Sequence, residues 1–355
     1  MGEANGAVAA QTARGRHSES FAAAMLVVAC LCWASFFSLA KNWQVAAHAC
    51  PGGDLVASLT LLGLRTLLAL FAYAAIRPRL YLELRRREIA VGLLLGTLNC
   101  LGNILQVWGL ASTSPALSGF FTSLASLWVP ILAFVGFRLP VARATWVGIV
   151  LGVGGLAILG INRGASSGIG FGDGLTVLSS FAFALFILSL DRLGRGVNSS
   201  HLTLVLIGVT GLPTVFLAVG VVAWQGHLFP WLSWLMEILR QPAVVRDVLL
   251  VTLLSTILAT RLMSTYQPRV SASRAALIYL LEPVLAAVLS VIVGHDSVSG
   301  RLVLGGALIL SGNALVELPL WIRNIRRKRR EDQEALTTSE PAAVAEVARL
   351  RNEVP

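Results

Sequence analysis

Apolar residues in this chain neither alternate nor scatter. They run together in ten stretches, at residues 21–40, 55–76, 89–110, 114–137, 144–162, 172–190, 202–223, 248–267, 271–293 and 302–322. Each is long enough to cross a hydrocarbon layer of about 30 Å at about 1.5 Å per residue. Backbone groups in lipid must be satisfied within their own segment, which makes these stretches helices, and the lack of period-two alternation removes a β-barrel. With 56% hydrophobic and 13% charged residues, the chain has too little charge to coat a soluble surface, where about 25% is usual. A soluble enzyme is therefore excluded. Connectors as short as Ala111–Thr113 and Leu139–Arg143 make the helices on either side antiparallel neighbours.

The net charge of +10 could point to nucleic acid, but its placement says otherwise. Counting loops alternately, one side receives nineteen basic residues: Arg14 and Arg16, five between Arg77 and Arg87, Arg138, Arg143, Arg192, Arg195, Arg269, Arg274 and the run Arg323–Arg330. The other side receives five: Lys41, Arg163, Arg240, Arg246 and Arg301. The positive-inside rule puts both termini in the cytoplasm of a cell (plasma or inner) membrane, and an even number of spans requires the same side for both. The 323–330 run adds contact with anionic lipid. Residues 1–19 and 331–355 are expected as disordered cytoplasmic tails. The loop 225–246, with Phe229, Trp231, Trp234, Leu235 and Leu239, reads either as an interfacial amphipathic helix or as a cap over the bundle. Trp43, Trp224 and Trp321 sit at span ends, where interfacial belts form. The four cysteines form no CxxC, and no His–carboxylate cluster is present, so no metal or cofactor is expected.

The two halves repeat. Cys32–Phe37 in the first span matches Ser180–Leu185 in the sixth, Pro130 in the fourth matches Pro283 in the ninth, and Gly148 and Gly155 in the fifth match Gly305 and Gly312 in the tenth. Five spans per repeat send the second half into the membrane in the opposite sense. The fold class expected is thus all-α and integral to the membrane, with ten transmembrane helices as two inverted five-helix repeats, residues 20–163 and 170–322. Secondary transporters are commonly built this way.

Ordered along the chain, Leu31–Phe37, Arg65, Asn103–Leu110, Ser118–Leu124 and Arg274–Val284 make the sequence resemble the drug/metabolite transporter superfamily in its EamA-type form. The resemblance covers residues 21–322 and implies a ten-helix carrier of small metabolites, often an exporter, working by alternating access. One departure concerns the Gly-Glu pair that the family often carries after spans four and nine. Here those places read Gly136-Phe137-Arg138 and Gly294-His295-Asp296, leaving Asp296 as a partial substitute.

Ionisable residues within spans cost about 2.5–3.5 kcal/mol on insertion scales, so each marks a functional position. Arg65, Arg261 and Glu282 are three such residues. Glu282 either pairs with one arginine or is protonated for part of a cycle and carries a coupling proton. If it pairs, one positive charge is left for an anionic substrate group. On the third span Gly96, Asn99, Asn103 and Gln106 follow helical spacing and form a polar stripe, which reads as the wall of a wet cavity or as interhelical glue. On the ninth, Tyr279 and Glu282 are a turn apart, and Pro283 either frees the Tyr279 carbonyl for a ligand or simply kinks the helix, as Pro130 would in the fourth. Trp33 walls a pocket or fills the core. The glycines of spans five and ten permit close approach.

These residues point to a secondary transporter that moves a small polar metabolite, anionic or amino-acid-like, outward. The rival readings are an integral-membrane enzyme acting on a lipid-linked substrate, and a scaffold or sensor. The partners implied are the substrate, the bilayer, a coupling proton if Glu282 carries one, and a second copy of the chain in a homodimer. Nucleic acid is not among them, and no catalytic residues are expected.

Overall fold

Among the described residues, helices are found in each of the ten apolar stretches. They are α1 (Gly2–Ala46), α2 (Gly53–Ile76), α3 (Arg86–Ser112), α4 (Pro115–Ser123), α5 (Ala125–Phe137), α6 (Arg143–Gly160), α7 (Phe171–Leu193), α8 (Ser199–Trp224), the short α9 (Leu228–Ile238), α10 (Pro242–Leu250), a π-helix (Val251–Leu258) running on into α11 (Ala259–Tyr266), α12 (Leu281–Val293), and α13 over residues 300–315. The computed structural model describes residues 2–76, 79, 83–137, 143–160, 170–194, 197–267, 270, 278–315, 322 and 326, and no strand occurs among them. Trp321, most of the 323–330 run, the 331–355 tail and Arg274–Ala276 lie outside the described residues.

Among the described residues, six helices are long and apolar enough to cross a membrane: Ser20–Ala46, Gly53–Tyr73, Arg86–Ser112, Phe171–Leu190, Ser200–Trp224 and Pro242–Met263. The other four stretches hold shorter apolar segments, Pro115–Val129 across the α4–α5 junction, Arg143–Leu159, Leu281–Val293 and Gly300–Leu315. Two expectations change here. Residues 2–19, expected as a disordered tail, continue α1 as helix, in keeping with an alanine-rich segment. The fourth stretch is not one helix, because Leu124 breaks it into α4 and α5. The break frees the Ser123 carbonyl, which accepts from Ser126 Oγ at 2.9 Å and from Asn313 Nδ2 of α13 at 3.2 Å. Pro130 sits in α5, past that break.

Glycine sets the closest approaches between the halves. A Cβ at Gly155 of α6 would lie 2.6 Å from the Gly305 carbonyl of α13, and one at Gly312 would lie 2.4 Å from the Gly148 carbonyl. The two contacts exchange matching positions, 148 with 305 and 155 with 312. At three other glycines a side chain fills the space instead. Gly92 and Gly96 of α3 meet Val205 and Val209 of α8, while Gly63 of α2 meets Val215. The helix pairs match in the same crossed way, with α3 against α7 and α1 against the α10–π–α11 rod.

At the end of the bundle opposite the arginine-rich loops, a polar network ties helices of both halves. Lys41 Nζ donates to the carbonyls of Leu110, Ala111 and Thr113 at 2.9, 3.0 and 2.9 Å, closing the C-terminus of α3. Asn42 Nδ2 donates to Asp247 Oδ2 at 2.8 Å, and Asn42 Oδ1 lies 2.7 Å from His295 Nε2. Because the Asn42 amide nitrogen is committed to Asp247, its oxygen is the acceptor, and His295 Nε2 carries the proton. Asp296 accepts from Ser290 Oγ and from the Ala116 backbone N–H in the first turn of α4. That gives Asp296 a helix-capping role.

Above this end lies α9. Trp231 and Ile238 are buried, Trp231 Nε1 donates to Thr60 Oγ1 at 3.3 Å, and Trp234 meets Trp43 edge-on at 6.1 Å between centroids. The segment caps α1 and α2, while Phe229, Leu232 and Met236 face outward along its other side. Trp43, expected in an interfacial belt, is instead fully packed, with Nε1 bonded to the Ala57 carbonyl at 2.8 Å, because the cap covers it. Trp224 is almost fully exposed, as a belt residue would be.

At the arginine-rich end, buried His201 of α8 places Nδ1 2.6 Å from Glu88 Oε2 in the first turn of α3. Glu88 also accepts from the Arg85 backbone N–H at 3.0 Å, so one carboxylate caps α3 and fastens it to α8. His201→Ala should therefore cost about 2 kcal/mol of stability, the value of a hydrogen bond to a charged group. Thermal unfolding in detergent reads it, and an unchanged transition would show that the pair contributes nothing.

Candidate functional site

The site is built on one face of α1. Cys30, Trp33 and Phe36 follow at three-residue steps, which stacks them on one side of a helix. Trp33 meets Tyr279 edge-on at 5.7 Å, and Cys30 Sγ faces the Ile278 carbonyl at 3.6 Å. Trp33 also packs against the buried cluster of Ala29, Cys32 and Ala259, as do Leu254 of the π-helix and Leu262 of α11. One turn further along α1, the Phe36 ring lies 4.6 Å under the Arg65 guanidinium. Arg65 Nη2 in turn donates to Asn103 Oδ1 of α3.

The structure thus brings Arg65 to Asn103 and Trp33 to Tyr279, with α1 linking the two pairs. The rest of the α3 stripe is engaged in pairs of its own. Asn103 Nδ2 bonds the Asn99 carbonyl at 2.8 Å, Asn99 Nδ2 reaches Thr210 Oγ1 of α8 at 3.4 Å, and buried Gln106 donates to Thr122 Oγ1 of α4 at 2.9 Å. Gly96 packs on Val209. The stripe consequently serves three different helices, because a single helix in a bundle turns successive polar groups toward successive neighbours.

Arg261 is exposed on α11. Among the described residues no ion pair joins Glu282 to either arginine. The reason is positional. Glu282 is half-buried in the first turn of α12, beside Tyr279 and Trp33, whereas Arg65 sits on Phe36 and Asn103. Pro283 is likewise in that first turn rather than in mid-helix, since a turn at Leu280 precedes α12. A first-turn N–H has no partner within its helix, so proline is tolerated there.

Sequence reasoning missed several members. Phe36 could have been found from its three-residue spacing from Trp33. Thr122, Thr210 and Gln267, which accepts from the Tyr279 hydroxyl at 2.9 Å, carry no signal of their own. The described residues hold no group of three His, Cys, Asp or Glu side chains placed to bind a metal.

A buried arginine and a half-buried glutamate, flanking an aromatic face between the two halves, suit the binding of a small polar solute in a bundle. Comparison with known proteins decides the family. The model of the EamA-like transporter family matches residues 20–161 and again residues 170–318. The chain belongs to the EamA-like transporter family. It is a multi-pass membrane protein of the drug/metabolite transporter type, with two EamA repeats. No curated protein matches it. Among solved structures, one described as "Crystal structure of protein" aligns with this EamA-like chain at 22% identity and a TM-score of 0.50, covering 86% of this chain and 99% of that one. That likeness concerns the fold.

Proposed function

We propose that this chain is a secondary carrier that exports a small polar metabolite across the cell membrane by alternating access. In this reading ten helices cross the bilayer as two inverted repeats, residues 20–163 and 170–322, with both termini in the cytoplasm. Arg65, Asn103, Trp33, Tyr279 and Glu282 hold the solute between the repeats. The observation that carries it is the crossed contact of α6 and α13, where Gly155 meets Gly305 and Gly312 meets Gly148. Such an exchange of matching positions is what a two-fold relation between halves produces. An inverted repeat can then reach its second state by swapping the roles of the halves.

Glu282 gives the reading its energetics. It has no hydrogen-bond or ion-pair partner among the described residues, so it is free to take up a proton or a cationic group of the substrate. The test is solute flux by the purified protein in liposomes, across labelled carboxylates, amino acids and sugar phosphates. Saturable, protein-dependent flux of at least one solute is expected; none across the panel overturns the proposal. Glu282→Gln is expected to abolish flux driven by a pH gradient while leaving solute exchange at equal pH. Gradient-driven flux that survives the substitution removes the proton role.

A further inference from the structure

Lys41 and Arg65 are two cations set among apolar helices, and they are held in opposite ways. Lys41 spends all three donors on carbonyls at the C-terminus of α3, where the helix dipole supplies negative charge. It is a structural cation with its balance built in. Arg65 is buried, at 7% exposure, where Lys41 is only half-buried, yet it receives no such balance. No carboxylate pairs with it among the described residues. Asn103, a neutral amide, is its hydrogen-bond acceptor there, and Nε is buried with no partner.

A buried charge left unpaired is costly, and a guanidinium has five N–H donors to satisfy. The Phe36 ring covers one face of this one, and Asn103 fixes one nitrogen, so the group is held rigidly while donors remain to spare. Rigid, desolvated and unneutralised, it has the properties of a preorganised anion receptor. Planar forked donors match the paired oxygens of a carboxylate or phosphate.

We propose that Arg65 anchors an anionic group of the transported substrate, a carboxylate or a phosphate, with Asn103 and Phe36 as the residues that position it. This rests on the carrier reading above. Tyr279 and Glu282, reached through Trp33 one turn away on α1, then contact the remainder of the molecule. The substrate accordingly carries its negative charge at one end.

The test uses the full chain in detergent, with unfolding temperature followed against succinate and against inorganic phosphate at constant ionic strength, and succinamide as the neutral control. At least one of the two anions is expected to raise the transition saturably by about 3 °C, as ligand linkage requires, while succinamide does not. Succinate alone identifies a carboxylate site, and phosphate alone a phosphate site. Arg65→Gln should lose the response. Asn103→Asp covers the case in which Arg65→Gln fails to fold, since it places a carboxylate where Asn103 Oδ1 already meets the guanidinium. That variant should melt higher without ligand and no longer respond to anions. No response in the wild-type chain, or a response kept by either variant, overturns the anchor. Flux of neutral solutes in liposomes without an anion response sinks the anchor and leaves the carrier reading. An anion response without flux of any solute does the reverse.

Discussion

Gly312→Val is expected to cost about 3 kcal/mol or more of stability, at or beyond the upper end of ordinary overpacking. A Cβ there would lie 2.4 Å from the Gly148 carbonyl and 3.1 Å from the Gly152 nitrogen, and both are backbone atoms of a neighbouring helix. A flexible side chain could swing aside, but a helix backbone must move as a whole, and α6 is already held through Gly155 against Gly305. Gly154→Ala on the same helix is the control, because a Cβ at Gly154 meets nothing within 4 Å. That change should be neutral or stabilising by a few tenths of a kcal/mol, since alanine is the better helix former. Thermal unfolding of both variants in detergent separates the cases. A Gly312→Val protein melting with wild type would mean that α6 and α13 are not in backbone contact.

Asn42→Leu is expected to open the end of the bundle opposite the arginine-rich loops. Asn42 joins Asp247 of α10 to His295 beyond α12, so its loss leaves a buried carboxylate and an imidazole each short of a partner. Losing hydrogen bonds to a charged group costs about 1.5–3 kcal/mol each. Cys50, between α1 and α2 at this end, reports the change. Its thiol is buried, which pushes its pKa up to about 12, with the nearby Asp54 charge adding to the effect. In the wild-type chain it should therefore resist a membrane-impermeant maleimide near pH 7. In Asn42→Leu the labelling rate should rise at least tenfold, equivalent to about 1.4 kcal/mol in the closing equilibrium. Equal labelling of the two proteins would show that the network does not hold this end shut.

The elements were legible because lipid leaves few choices. Where the structure describes them, the apolar stretches are helical, and the matched glycines of spans five and ten, visible as two seven-residue spacings, became the seam between α6 and α13. Arg65 and Asn103 stood out because polar groups are scarce in such a chain, and they do meet. What could not be read is which neighbour each group turns to. Periodicity gives a residue's direction around its own helix, not the identity of the helix beyond, so whether Glu282 meets an arginine was not legible. The break at Leu124 was hidden too, since no proline or glycine marks it and its stabilising donor, Asn313, lies 190 residues away. The same holds for Asn42, Asp247 and His295, polar residues at helix ends where polar residues are unremarkable.

The π-helix at Val251–Leu258 has no counterpart in the first half, where Arg86–Ser112 is α-helical throughout. On the alternating-access reading proposed above, two halves of identical shape would make the inward- and outward-facing forms equal in energy. Eight residues wound more loosely in the second half, with no match in Arg86–Ser112, would remove that degeneracy. On that reading the unloaded protein would have a preferred resting side set by its own backbone, before any gradient acts on it.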